Sequence, residues 1–205
     1  IPLSSFLQHP EAKKLLSGKP VITISGTRNM WVMAHQKVKK LLTDCGAHLV
    51  GNIALTDPHH NHISVITIVQ WLFSGDKNKH YLGVFPKAGV ADKDIQSANI
   101  YGTLIAQHLQ TGNYNGLQQA IVAHGGVHYK RFILSAEKKG NRLFGIWAKM
   151  IYGSKKRKFL LKCFHIYLYI AIWVLMPIVW LLYWLTYPLF FWKVERDKKK
   201  FTIDN

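Results

Sequence analysis

Residues 163–192 contain no Asp, Glu, Lys or Arg and are crowded with Ile, Leu, Val, Tyr and Trp. A soluble core helix is rarely so apolar on every side, so this run points a chain of 205 residues to a membrane. As a helix it extends about 45 Å, more than a hydrocarbon core of ~30 Å needs for one crossing and too little for two crossings and a turn. Two topologies follow: one tilted span, or a re-entrant hairpin that dips into the cytoplasmic leaflet. Lys155, Lys156, Arg157, Lys158 and Lys162 precede the run, and Lys193, Arg196, Lys198, Lys199 and Lys200 follow it. Basic residues mark the cytoplasmic side, and both flanks carry them. Pro177 would break or kink a helix near its middle, and Trp173, Trp180, Tyr183, Trp184 and Trp192 favour interfacial depth; both features suit the hairpin.

Charge narrows the partners. Lys and Arg number 27 against 10 Asp and Glu, a formal net charge of +17. Much of that excess sits beside the apolar run, where each cation near an anionic surface contributes about 1 kcal/mol, so phospholipid is the expected anionic neighbour and nucleic acid is not. Two cysteines, Cys45 and Cys163, provide no disulfide framework, and a reducing compartment is the simpler reading. The chain opens Ile1-Pro2-Leu3-Ser4-Ser5 without the basic start and cleavage site of a signal peptide, and is expected to begin inside a longer protein.

Before the apolar run the pattern alternates. Residues 10–16 form a short helix with Pro10 in its first turn and Gly18 just past its end. Val21-Ile22-Thr23-Ile24-Ser25 is a β-branched run suited to a buried parallel strand. Residues 30–43 carry Trp31, Ala34, Val38, Leu41 and Leu42 at helical steps, with Lys37, Lys39 and Lys40 opposite. A second strand is expected over 47–55, and a polar loop of Asp57-Pro58-His59-His60-Asn61-His62 follows. Residues 63–73 are apolar and β-branched, compatible with strand or helix. An Asp-capped helix is expected from Ala91 or Asp92 to about Gln110, closed by Gly112. Residues 117–123 and 142–151 are further helix candidates. Strand, helix, strand, loop, helix is half of a doubly wound α/β fold.

Ser25-Gly26-Thr27-Arg28-Asn29-Met30-Trp31 follows a parallel strand and opens a helix, which is where open α/β sheets bind ligands. Gly26 permits close backbone approach, Arg28 and helix N–H groups suit a phosphate or carbonyl, and Trp31 could cover a flat ring. The competing reading is a tight turn in which Thr27 or Asn29 caps the helix. His59, His60 and His62, with Asp57, could hold a transition metal, but a solvated loop explains them better, and no metal site is expected. In His124-Gly125-Gly126-Val127-His128 the glycine pair marks a turn. No Ser-His-Asp arrangement, hydrolase carboxylate pair or phosphate-binding Walker loop is present, so hydrolase and NTPase activities have no support.

The stretch from Gly18 through Ser25-Gly26-Thr27-Arg28-Asn29-Met30-Trp31, together with Gly51-Asn52-Ile53-Ala54-Leu55-Thr56-Asp57 and Pro86-Lys87-Ala88-Gly89-Val90, resembles the dialkylresorcinol condensing-enzyme family of bacteria. The resemblance covers most of residues 1–160, and Thr27-Arg28-Asn29-Met30-Trp31 is its most specific part. It implies a flavodoxin-like, FMN- or NAD(P)H-oxidoreductase-like fold. The fold class expected is therefore α/β, a partial flavodoxin-like three-layer parallel sheet followed by a C-terminal membrane helix or re-entrant hairpin. Residues 1–112 would be the C-terminal part of the flavodoxin-like domain, 113–158 a basic connecting region, 159–192 the membrane segment and 193–205 a basic cytoplasmic tail.

The resemblance implies an enzyme that joins or aromatises two acyl-derived chains in aryl-lipid synthesis, with an apolar substrate and a ketosynthase-type partner. It also implies that Ser25 to Trp31 lie against a flavin ring, with Asn52 and Asp57 lining the neighbouring strand end, FMN as cofactor and NAD(P)H as a possible reductant. Flavodoxin-like proteins hold the FMN phosphate in a Ser/Thr-rich loop after their first strand, and that strand and loop are missing here. This chain alone is thus expected to hold FMN weakly. The alternative function is a non-catalytic membrane-bound adaptor or scaffold of a lipid-synthesis complex. A channel or transporter subunit is disfavoured, because a single apolar run cannot build a pathway unless many copies assemble.

Overall fold

The computed structural model describes residues 2–203, except the side chains of Phe190, Lys193 and Val194. It is mostly helical, with a small parallel sheet and one long apolar helix. Two compact units divide it: residues up to Tyr129 with those from Lys198 on, and Lys130–Asp197.

In the first unit, α1 (Pro2–Leu7) and α2 (Pro10–Leu16) precede β1 (Pro20–Thr27). Pro10 sits at the start of α2, where its missing N–H costs nothing, and His9 Nδ1 accepts from the Glu11 N–H. Helix α3 (Val32–Asp44) connects β1 to β2 (His48–Thr56), and the two strands pair in parallel from Pro20↔His48 to Thr27↔Thr56. Val21 faces Leu49 but Ile22 faces Gly51, so Val50 is an extra residue, a bulge.

The alternation of a strand sends successive side chains to opposite faces. Thr23 and Asn52 meet on one face, where the Thr23 hydroxyl donates to Asn52 Oδ1 (3.0 Å). On the other face lie Ile22 and Gly51, against Ile121 of α7 (Leu117–Ala123); a Cβ on Gly51 would stand 3.2 Å from the Ile121 Cδ1. The core between α1, α2, α3 and the strand starts is Leu7, Ala12, Leu42, Cys45 and Ala47, with Val21, Val38 and Leu49 at its rim.

Of the expected three-layer sheet, two strands are present among the described residues. The far edge of β2 has a single-residue bridge, Ala54 with Val127, fixed by the Ala54 N–H to the Gly126 carbonyl at 2.7 Å. The far edge of β1 carries no strand among the described residues.

Residues 63–73, ambiguous in sequence, are helical: α4 (Asn61–Ser74) ends at Gly75, whose φ of +71° makes a left-handed cap. Expected as one helix, residues 92–110 form two, α5 (Asp92–Ser97) and α6 (Asn99–Thr111), with Ala98 between them. Asp92 is not the cap. Ala91 holds that position, and the Asp92 carboxylate lies near Lys77 (3.6 Å) and Lys87 (3.7 Å). The region 113–158, expected as one connector, is divided at Tyr129. Within it, α7 packs on β2 and belongs to the first unit.

In the second unit, α8 (Arg131–Tyr152) is longer than the expected 142–151. After a short turn the chain runs through α9 (Arg157–Ile170), a five-residue π-turn (Ala171–Leu175), α10 (Met176–Thr186) and a 3₁₀ turn (Tyr187–Phe190). Residues Arg157–Leu189 make one helix of 33 residues, long and apolar enough to cross a membrane, with mean hydropathy 2.1 in its best window. The re-entrant hairpin is therefore absent: the helix does not reverse at Pro177. The π-turn explains why. The Met176 N–H bonds to the Ala171 carbonyl, five residues back, which widens the backbone where the proline ring would otherwise strike the preceding turn. Helix α11 (Phe191–Thr202) follows. Its last turn belongs to the first unit, where the Thr202 carbonyl accepts from Gln118 Nε2 at 2.6 Å.

Candidate functional site

Because β1 and β2 end in register at Thr27 and Thr56, the segments that follow them leave the sheet at the same end. Asp57 ties the two together. Its N–H donates to the Thr27 (3.0 Å) and Arg28 (2.9 Å) carbonyls, and its carboxylate accepts from the His59 N–H (2.9 Å) and the Ser64 hydroxyl (2.7 Å). At 1% exposure this carboxylate fixes the turn into α4, whose own cap residue His60 makes no side-chain capping bond.

The loop 28–31 is longer than a tight turn. Helix α3 begins only at Val32, and neither Thr27 nor Asn29 caps it; Trp31 stands at that position without a side-chain bond to the helix. Arg28 is half-buried and makes no ion pair among the described residues. Burial pushes its guanidinium below the ordinary arginine value, opposed by the charge of Asp57. A half-buried cation in this state is stabilised by any anion that comes to it.

Two buried amides are also unsatisfied. Asn29 is 8% exposed and Asn52 1%, and the Nδ2 of each lacks a partner. A buried donor left unmade costs about 1–3 kcal/mol, which a ligand acceptor would recover. The main chain of Asn52 is held at both ends by Gln118: its N–H donates to Oε1 (2.7 Å) and its carbonyl accepts from Nε2 (3.4 Å).

Beside these groups a cleft of about 470 Å³ runs along β1 from Val21 to Thr27, between that strand and the residues Ala34, His35 and Val38 of α3, with Asn52, Met30 and Trp31 at its wall. That volume lies within the range of small-molecule sites, about 300–1,000 Å³, and a mostly apolar wall with a few polar groups is their usual chemistry. No family model, curated protein or solved structure matches the chain.

Of the residues singled out in sequence, Ser25, Gly26, Thr27, Met30, Trp31 and Asn52 line this cleft. Arg28, Asn29 and Asp57 are not among its lining residues and stand at the adjoining strand ends. Trp31 is 4% exposed, its indole N–H donates to the His128 carbonyl (3.2 Å), and its ring meets His35 edge-on at 5.7 Å. It thus contributes a fixed wall rather than a free cover. The Ser25 hydroxyl reaches the Ile53 carbonyl at 3.4 Å.

Sequence reading missed Gln118, Thr23 and His35. Gln118 is far away along the chain, and nothing local marks it; Thr23 was legible only as a strand residue. His60 and His62 stack at 5.4 Å, His124 Nδ1 pairs with the Ala120 carbonyl at 2.8 Å, and the described residues contain no group of three His, Cys, Asp or Glu placed to hold a metal. Gly125 has φ +77° and turns the chain back to β2.

Proposed function

We propose that the chain is the membrane-attached, cytoplasm-facing part of a flavodoxin-like enzyme of aryl-lipid, dialkylresorcinol-type biosynthesis, acting on apolar acyl-derived substrates in a condensation or flavin-dependent aromatisation step. The observation that carries it is the unpaired amide of Asn52 at the wall of an apolar cleft, beside a half-buried Arg28 without an ion pair. A tricyclic flavin ring is flat and apolar with polar edges, and FMN adds a phosphate. Asn52 and Asn29 would offer donors to the ring edge, Trp31 and Met30 a wall, and Arg28 a charge for the phosphate. When bound, a flavin supplies hydride or electron transfer to an acyl-derived substrate. The chain's own residues bind and orient it: Asp57 holds the two strand ends together and Gln118 fixes the Asn52 backbone. An apolar substrate partitions into the bilayer, so attachment through Arg157–Leu189 would bring the cleft's unit to where such a substrate is concentrated.

FMN and riboflavin differ by the phosphate, which separates Arg28 from the ring contacts. Titrating both into the purified protein should show Arg28→Ala weakening FMN by about 10–100-fold and riboflavin by less than threefold, in line with a charge-assisted bond of about 1.5–3 kcal/mol. Equal loss for both ligands, or binding of neither, would remove Arg28 from the reading. One observation favours the alternative, a non-catalytic membrane adaptor: the polar groups of Asp57 and Trp31 are spent on bonds inside the fold. That reading predicts no flavin uptake and no change in partner binding on Arg28→Ala.

A further inference from the structure

Helix α8 packs antiparallel along the long apolar helix. Phe132, at its start, meets Tyr183 (5.6 Å between rings), while Trp147, fifteen residues on, meets Phe164 (5.4 Å) and Tyr167 (5.5 Å), and Phe144 meets Phe164 (5.6 Å). Residues between those contacts fall level with the stretch from Tyr167 to Tyr183, the middle of the charge-free run.

Those residues are charged. Lys138, Lys139 and Arg142 are exposed, as is Lys149, two residues past Trp147. At 100° per residue Lys138, Arg142 and Lys149 lie within about 40° of one another, on the side of α8 opposite Phe144 and Trp147. Leu143, Ile146 and Met150 are exposed apolar side chains flanking the seam.

If the long helix crossed the bilayer with α8 on it, Lys138, Lys139 and Arg142 would sit at mid-depth. Each charge there disfavours insertion by about a hundredfold. Lying flat avoids the conflict. The all-round apolar helix then runs lengthwise beneath the headgroups, α8 covers its upper side with Phe144 and Trp147 turned down, and the basic stripe meets lipid phosphates. The same placement keeps the basic segments at both ends of the run on one side, and it sets Trp173, Trp180 and Trp184 at interfacial depth.

Resting on the membrane attachment proposed above, we infer that Lys130–Asp197 is an in-plane anchor for an anionic bilayer surface and not a span. Its occupant is the lipid headgroup layer, recognised by a one-sided basic stripe above an apolar underside.

The test uses the full chain tagged at both ends, in sealed vesicles prepared with the cytoplasmic face outward, and treated with protease. An in-plane anchor leaves both tags open to cleavage in vesicles that float. Flotation with the C-terminal tag protected until detergent is added would overturn the in-plane placement while leaving the attachment standing. A chain that does not float would overturn the attachment itself. A second measurement uses added phosphatidylcholine vesicles with and without phosphatidylglycerol. Arg142→Glu with Lys149→Glu should weaken binding to the anionic vesicles at least about tenfold and to the neutral ones little; unchanged anionic binding would remove the basic stripe from the account.

Discussion

Asp57 shows how one side chain sets a local structure. It is buried, its carboxylate accepts from the Ser64 hydroxyl and the His59 N–H, and Asp57→Ala leaves both donors without an acceptor while keeping the backbone N–H that closes the end of β1. The expected cost is about 2–4 kcal/mol, read as a lowered midpoint in thermal unfolding. Gly126 is constrained by space: an added Cβ would stand 2.5 Å from the Ile121 Cγ2 and 3.0 Å from its carbonyl. Gly126→Ala should cost about 1–3 kcal/mol, whereas Gly125→Asn, at a φ that Asn tolerates, should cost less than 1 kcal/mol.

Tyr101 titrates with a sign that can be worked out. Burial first, then Asp94, raises its phenol above the usual value, and the hydroxyl donates to the His124 carbonyl at 3.0 Å. A raised folded-state value means the contribution is fully present below pH 10, where the unfolded phenol titrates, and is lost as pH rises through the folded value. Ultraviolet difference absorbance should show this tyrosine ionising after the exposed ones, and Tyr101→Phe should remove one tyrosine's amplitude from the late step. At this scale the sequence made Asp57 and the loop 25–31 legible, because strand ends and turn residues are local signals. Gln118 was not, because its partner Asn52 lies 66 residues away.

Elements were read best where punctuation was strong. Pro10, Gly18, Gly46 and Gly112 marked ends that the structure keeps, and the helices at 10–16 and 117–123 have the expected bounds. Residues 63–73 were undecidable because the polar Ser64 and Thr67 of α4 face inward, while the apolar Leu72 and Phe73 are 75% and 90% exposed. Periodicity carries no information when the buried side is the polar one. Phe73→Ser should therefore change stability by less than about 0.5 kcal/mol, while Ser64→Ala, which removes a donor to Asp57, should cost about 1–2 kcal/mol. Chemical denaturation of the pair compares them directly. Pro177 misled in the other direction, since a proline preceded by a π-turn is tolerated in a continuous helix and sequence pattern does not reveal the turn.

At the scale of the whole molecule, the pair of parallel strands and a long apolar segment were legible from β-branched runs and run length. The division at Tyr129 was not, because α7 reads as a connector until it is seen packed on β2. The proposed function joins two properties, an apolar cleft with unpaired donors and attachment to a lipid surface, and the first is the more exposed to refutation. The visible absorbance spectrum of the protein purified in detergent and incubated with FMN, with the bound ligand released and weighed by mass spectrometry, tests it most directly. A retained flavin band that Arg28→Ala and Asn52→Leu each diminish is the predicted result; a colourless protein that takes up no FMN would contradict it.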